Sequence, residues 1–130
     1  MSAEADRIDH LVLTVTDLDA TIEWYRRVVG LEAIRSDAGR WALRVGDSKI
    51  NLHHAASPVA PHAASPRPGS ADICLTTRRP LDDVISGLVA EGVAIEVGPV
   101  RREGARSTLR SVYIRDPDGN LVEIANEVSE

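Results

Sequence analysis

The sequence predicts an α+β fold of two tandem βαβββ modules, and three features of its pattern carry that prediction. His10-Leu11-Val12-Leu13-Thr14 and Asp72-Ile73-Cys74-Leu75-Thr76 share one polar-then-apolar opening. Each opening leads into a helical stretch that ends near a glycine, Gly30 in one copy and Gly92 in the other. Each copy then closes on an alternating strand, Lys49-Ile50-Asn51-Leu52 and Leu121-Val122-Glu123-Ile124. A chain written twice pairs its polar positions, His10 with Asp72 and Asn51 with Glu123. Residues remote in sequence thereby become candidates for one site.

Taken in order, Ile8 to Thr16 sets Leu11, Leu13 and Val15 on one face and His10, Val12 and Thr14 on the other, the period of a half-buried strand. Asp17 reads as an N-cap, and Leu18, Ile22, Tyr25 and Val29 recur at helical spacing up to Gly30. Short strands are expected around Glu32 to Ser36, Arg40 to Val45 and Ser48 to His53, with turns at Asp37-Ala38-Gly39 and Gly46-Asp47. Pro58, Pro61, Pro66 and Pro68 disfavour regular structure between Ala55 and Gly69, so a linker is expected there. Ala71 to Thr77 is again a strand. Pro80 suits the first turn of a helix whose positions Leu81, Val84, Ile85 and Leu88 run to Gly92. Strands near Val93 to Val97, Arg110 to Ile114 and Asn120 to Asn126 complete the copy. His10 to Asp72 spans 62 positions and Asn51 to Glu123 spans 72, so the second module carries about ten extra residues. The basic segment Gly98 to Ser107 is expected to hold them as a surface loop.

Composition narrows the function. At 130 residues, with 43% hydrophobic and 27% charged residues, the chain can bury a core without disulfides or structural zinc. A net charge of -5 gives no basic field for phosphate backbones, so no nucleic-acid partner is expected. Cys74 is the one cysteine, so no intrachain disulfide can form, and a small buried hydrophobe is its expected role. Met1 to Asp6 is polar and acidic, unlike a secretory leader, and no apolar run nears the ~20 residues of a membrane helix. The expectation is a cytoplasmic protein with no membrane partner, ending in a short acidic tail after Ala125.

Strand parity supplies the chemistry. If Leu11, Leu13, Ile50, Leu52, Ile73, Leu75, Val122 and Ile124 face the helices, then His10, Asn51, His53, Asp72, Cys74 and Glu123 face the other way. That face collects imidazoles, carboxylates and an amide, donors a divalent cation can use. Asp116-Pro117-Asp118-Gly119-Asn120 is a tight turn launching the strand that carries Glu123. No Gly-rich phosphate loop, Gly-x-Ser-x-Gly elbow or Cys-x-x-Cys pair occurs.

Ile8-Asp9-His10-Leu11-Val12-Leu13, Trp24-Tyr25-Arg26-Arg27-Val28-Val29-Gly30-Leu31 and Asp116 to Glu123 resemble the vicinal oxygen chelate superfamily of glyoxalase I, bleomycin-resistance proteins and extradiol dioxygenases. Lys49-Ile50-Asn51-Leu52-His53, Pro68-Gly69-Ser70-Ala71-Asp72 and Gly98-Pro99-Val100-Arg101 are similar to its glyoxalase domain-containing protein five subgroup. The resemblance implies one glyoxalase-like domain over 1–130, with module one at about 7–54, linker 55–69 and module two at about 70–127, its mixed sheet curled around a central cavity. It implies ligands at His10, Asn51, Asp72 and Glu123. Glyoxalase I has a carboxylate where Asn51 stands, and many relatives have histidine where Asp72 stands. His53 could join His10 and Glu123 in a two-histidine, one-carboxylate set.

The expected function is a metal-dependent lyase or isomerase of glyoxalase type, taking one divalent ion (nickel, zinc, manganese or iron(II)) and a small oxygen-chelating substrate. Glu123 is the expected base with Asp72 as its rival, and Arg101, Trp41, Tyr113 and Asn51 are the expected substrate contacts. The alternative is a metal-free protein that sequesters a small natural product, as bleomycin-resistance relatives do. A homodimer is expected in either case.

Overall fold

The computed structural model describes residues 1–129, which divide into two compact units, Met1–Arg67 and a second beginning at Pro68. In the first, β1 (His10–Val15), α1 (Leu18–Trp24), β2 (Ala33–Arg35), β3 (Trp41–Val45) and β4 (Ser48–His54) follow in order. Its sheet runs β1-β4-β3-β2, with β1 parallel to β4 and the other pairs antiparallel. The Asp17 carboxylate accepts from the Ala20 amide at 3.0 Å and caps α1 as expected. The helix does not run unchanged to Gly30. It widens into a π turn over Tyr25–Val29, which Gly30 closes at φ 81°. Tyr25 is fully buried there, in a core with Leu13, Val15, Leu43, Ile50 and Leu52.

The second unit repeats the plan with β5 (Asp72–Thr76), α2 (Leu81–Ala90), β6 (Val97–Glu103), β7 (Thr108–Arg115) and β8 (Leu121–Val128), in sheet order β5-β8-β7-β6. Leu81, Leu88, Val112, Ile114, Val122 and Ile124 form its core. Register confirms the repeat. His10 stands opposite Lys49, two residues before Asn51, and Asp72 opposite Leu121, two residues before Glu123.

Four local expectations are corrected. The strand placed near Val93 begins only at Val97, and Gly98 to Glu103 belong to β6 rather than to a surface loop. The extra residues lengthen the hairpins: β6, β7 and β8 have 7, 8 and 8 residues, against 3, 5 and 7 in β2, β3 and β4. Gly98 makes that pairing possible, since a Cβ there would meet the Ser111 carbonyl oxygen at 2.5 Å and the Val112 Cα at 2.9 Å. Pro80 precedes α2 as its N-cap rather than entering the first turn, and offers no side-chain cap. Asn126 replaces it, accepting from the Leu81 amide at 2.8 Å and donating to the Thr77 and Arg79 carbonyls at 2.9 Å. Finally, the chain after Ala125 is not a tail: β8 continues to Val128, and Glu130 lies outside the described residues.

The turn before β8 is a buried polar knot. Asp116 Oδ1 accepts from the Asp118 and Asn120 amides at 2.9 Å, Oδ2 accepts from Asn120 Nδ2 at 2.8 Å, and Asn120 Oδ1 accepts from the Ala71 amide at 2.9 Å. It ties the start of β5 to the start of β8. That sets Cys74 directly opposite Glu123.

Candidate functional site

Each unit carries a cavity on the sheet face that parity assigned to polar residues. In the second unit it encloses about 490 Å³, and Cys74, Leu109, Tyr113, Glu123, Arg102 and Glu127 are among its walls. Register explains the arrangement: Glu123 on β8 lies between Cys74 on β5 and Tyr113 on β7, a row of directly opposed residues. The Glu123 carboxylate acts on the pKa of both the Cys74 thiol and the Tyr113 phenol. Cys74 is exposed rather than the buried hydrophobe expected of its strand, yet desolvation of the thiol, then the nearby Glu123 carboxylate, push it up to about 11. Desolvation also raises the Tyr113 phenol, opposed by a hydrogen bond from Arg102 and reinforced by Glu123. Arg102 Nε donates to the Tyr113 hydroxyl at 3.0 Å, and its guanidinium stands 5.4 Å from the ring centroid. At the rim Arg106 forks onto Glu127 at 2.9 and 3.0 Å.

The first unit's cavity, about 320 Å³, has a different chemistry. Arg35, Arg40, Trp41, Lys49, Asn51 and His53 are among the residues that line it. Arg35 lies 5.4 Å over the Trp41 ring, so that aromatic face is already covered. Ala42, not Trp41, stands opposite Asn51 and leaves the room. Desolvation, followed by the charges of Arg40 and His62, lowers the His53 pKa.

The residues expected from sequence divide accordingly. Glu123 and Tyr113 share one cavity; Asn51, His53 and Trp41 border the other. His10 and Asp72 open β1 and β5 and are exposed. His10 Nδ1 lies 2.8 Å from Asp9, whose carboxyl is held below its ordinary range first by that hydrogen bond. His53 stands opposite Thr14, four residues beyond His10, so the two histidines are about 13 Å apart along the strands, whereas two donors of one ion lie within about 4 Å. They do not meet. Among the described residues no group of three or more His, Cys, Asp or Glu is close enough to hold a metal ion.

Arg101 lines neither of these two cavities. It reaches Thr108 Oγ1 at 3.5 Å, while its neighbour Arg102 turns to Tyr113. Sequence reading missed Arg102 because a loop has no period, whereas a strand over Val97–Glu103 alternates its side chains. Arg40 and Lys49 were also missed, although Lys49, Asn51 and His53 share one parity on β4.

Comparison with known proteins decides the family. The model of the Glyoxalase/Bleomycin resistance protein/Dioxygenase superfamily matches residues 7–124. The chain belongs to that superfamily. It is 50% identical over 123 residues to virulence protein STM3117 of Salmonella typhimurium, covering 95% of this chain and 85% of that protein. The crystal structure of STM3117 superposes with a TM-score of 0.92 over 95% of this chain and 98% of that one. Glyoxalase domain-containing protein RDO1 of Mycosarcoma maydis is 40% identical over 119 residues, covering 92% of this chain and 67% of that protein. Lactoylglutathione lyase from Agrobacterium tumefaciens is more distant, at 25% identity and a TM-score of 0.70 over 94% of each chain. No helix of the described residues is long and apolar enough to cross a membrane.

Proposed function

We propose that this superfamily member is a glyoxalase-type lyase or isomerase that moves a proton on a small oxygen-rich substrate, with Glu123 as the proton carrier. The observation that carries the reading is the row Cys74–Glu123–Tyr113 in the second unit's cavity. A carboxylate flanked by a thiol and a phenol on the neighbouring strands is placed to take a proton from carbon beside a carbonyl and return it to the neighbouring carbon. The Arg102 guanidinium, anchored by its Nε on the Tyr113 hydroxyl, stabilises negative charge as it develops on the substrate oxygen. Asp72, exposed at the start of β5 two residues before Cys74, is the rival carrier. The likeness to a lactoylglutathione lyase supports the same reaction class.

A divalent ion (nickel, zinc, manganese or iron(II)) would act as a Lewis acid on adjacent substrate oxygens. His10, Asp72 and Glu123 carry the matching donor atoms. The family positions of each module, however, supply only two donors, His10 and Asn51 or Asp72 and Glu123, set two residues out of register, where an ion takes three or four. Neither pair fits an ion by itself, so the proton transfer rests on Glu123, Tyr113 and Arg102. We also read the protein as a cytoplasmic homodimer. Its support is β1, an edge strand whose Leu11 and Val12 remain 36% and 45% exposed.

The test is deuterium incorporation from D2O into a panel of 2-hydroxy ketones and thiol hemithioacetals, followed by NMR. Glu123→Gln should slow exchange by about 10²–10⁴-fold, the usual worth of a positioned acid–base group. Exchange within threefold of the parent protein would remove Glu123 from the reaction. Saturable binding of these compounds without exchange would favour the sequestering alternative.

A further inference from the structure

The cationic face of the first unit is lined by none of the residues given to the proton transfer and needs its own account. Strand alternation puts Lys49, Asn51 and His53 on one face of β4, and Ala42 and Arg44 on the matching face of β3. Arg44 stands directly opposite Lys49, an arrangement of like charges that destabilises a bare sheet. Arg40, just ahead of β3, adds a third permanent cation and is felt electrostatically by His53. No residue lining the cavity is acidic, and Asp37 and Asp47 sit in the adjoining turns without lining it. Arg35 has its Nε bonded to the Gly39 carbonyl at 3.2 Å, so it belongs to the turn and to Trp41. Arg40, Arg44 and Lys49 take part in no ion pair among the described residues; Lys49 is only the last of the influences on Asp9.

We propose that the cavity bordered by Arg40, Lys49, Asn51 and His53 is a binding site for the anionic group of a small molecule, a phosphate ester or a carboxylate. Two cations flank an amide that can donate to an oxyanion while Ala42 opposite it leaves the space. The bound anion relieves the repulsion between Lys49 and Arg44. At about 320 Å³ the cavity accepts a charged group with a small ring or chain attached, at the lower end of ordinary ligand sites.

The experiment titrates the full-length protein with phenyl phosphate, benzoate and benzyl alcohol at low ionic strength, read by NMR shifts of the Asn51 and His53 amides and by Trp41 fluorescence. The anions should bind saturably and benzyl alcohol should not; whichever anion binds more tightly names the source. Arg40→Gln and Lys49→Gln should each weaken anion binding about fivefold and the double variant about twentyfold, while Lys49→Arg keeps it. Glu123→Gln should leave it unchanged, which separates this site from the proton-transfer reading. Anion binding unaltered in the double variant, benzyl alcohol binding as tightly as the anions, or no saturation by about 10 mM of either anion would overturn the proposal.

Discussion

The two modules share a register and differ in almost everything that register presents. His10 and Asn51 in one occupy the positions of Asp72 and Glu123 in the other, yet the first face is cationic and the second is organised around a carboxylate. Their supports differ as well. Module one turns from β3 to β4 through Gly46 and Asp47 alone, whereas module two turns from β7 to β8 through the buried Asp116–Asn120 knot. Helix α1 is capped by its own neighbour Asp17, and α2 by Asn126 from β8. The comparison shows that one hydrogen-bonding plan leaves the chemistry of its open face free to diverge, because the opposite face makes the core.

The turns test this most severely. Asp116→Ala strips three accepted hydrogen bonds from a residue that is 6% exposed and should cost roughly 3 kcal/mol in urea unfolding, while Asp47→Ala should stay within about 0.5 kcal/mol. Equal losses would erase the distinction between the turns. The caps come next. Asn126→Ala removes three hydrogen bonds around the start of α2 and should cost about 2 kcal/mol, against about 1 kcal/mol for Asp17→Ala. The reverse order would mean that α2 does not depend on its remote cap.

Cys74 sharpens the contrast between the two faces. Its thiol is raised to about 11 because of partial burial first and Glu123 second, so alkylation by iodoacetamide at pH 8 should be slow. Glu123→Gln removes a repelling charge, lowers that pKa and should speed alkylation severalfold; an unchanged rate would show that burial alone sets it. The linkage has a definite sign. A thiol with a folded pKa above the ordinary value of 9.0 contributes stability that is complete below pH 9 and is lost as pH rises toward 11, so Cys74→Ser should flatten the alkaline limb of stability against pH. The smallest effect concerns self-association. Leu11→Lys on the exposed edge of β1 should shift light scattering from dimer to monomer at micromolar concentration, and a parent protein already monomeric there would contradict the dimer.

The sequence by itself determined the repeat, the order of elements and the parity of the site-bearing strands. These are periods of two and of about 3.6 residues, local consequences of where apolar side chains must go. It also identified Asp17 as a cap and Asp116–Asn120 as a turn, since both act within a few residues. Only the tertiary structure decided that Arg102 rather than Arg101 reaches Tyr113, that residues 98–103 are strand, and that Asn126 caps α2. Each depends on a partner far along the chain: Tyr113 for Arg102, β7 for β6, the start of α2 for Asn126. The split of the predicted donors had the same origin. Parity says which face a residue takes, but the position along that face follows from strand register, which sets His53 opposite Thr14 rather than beside His10.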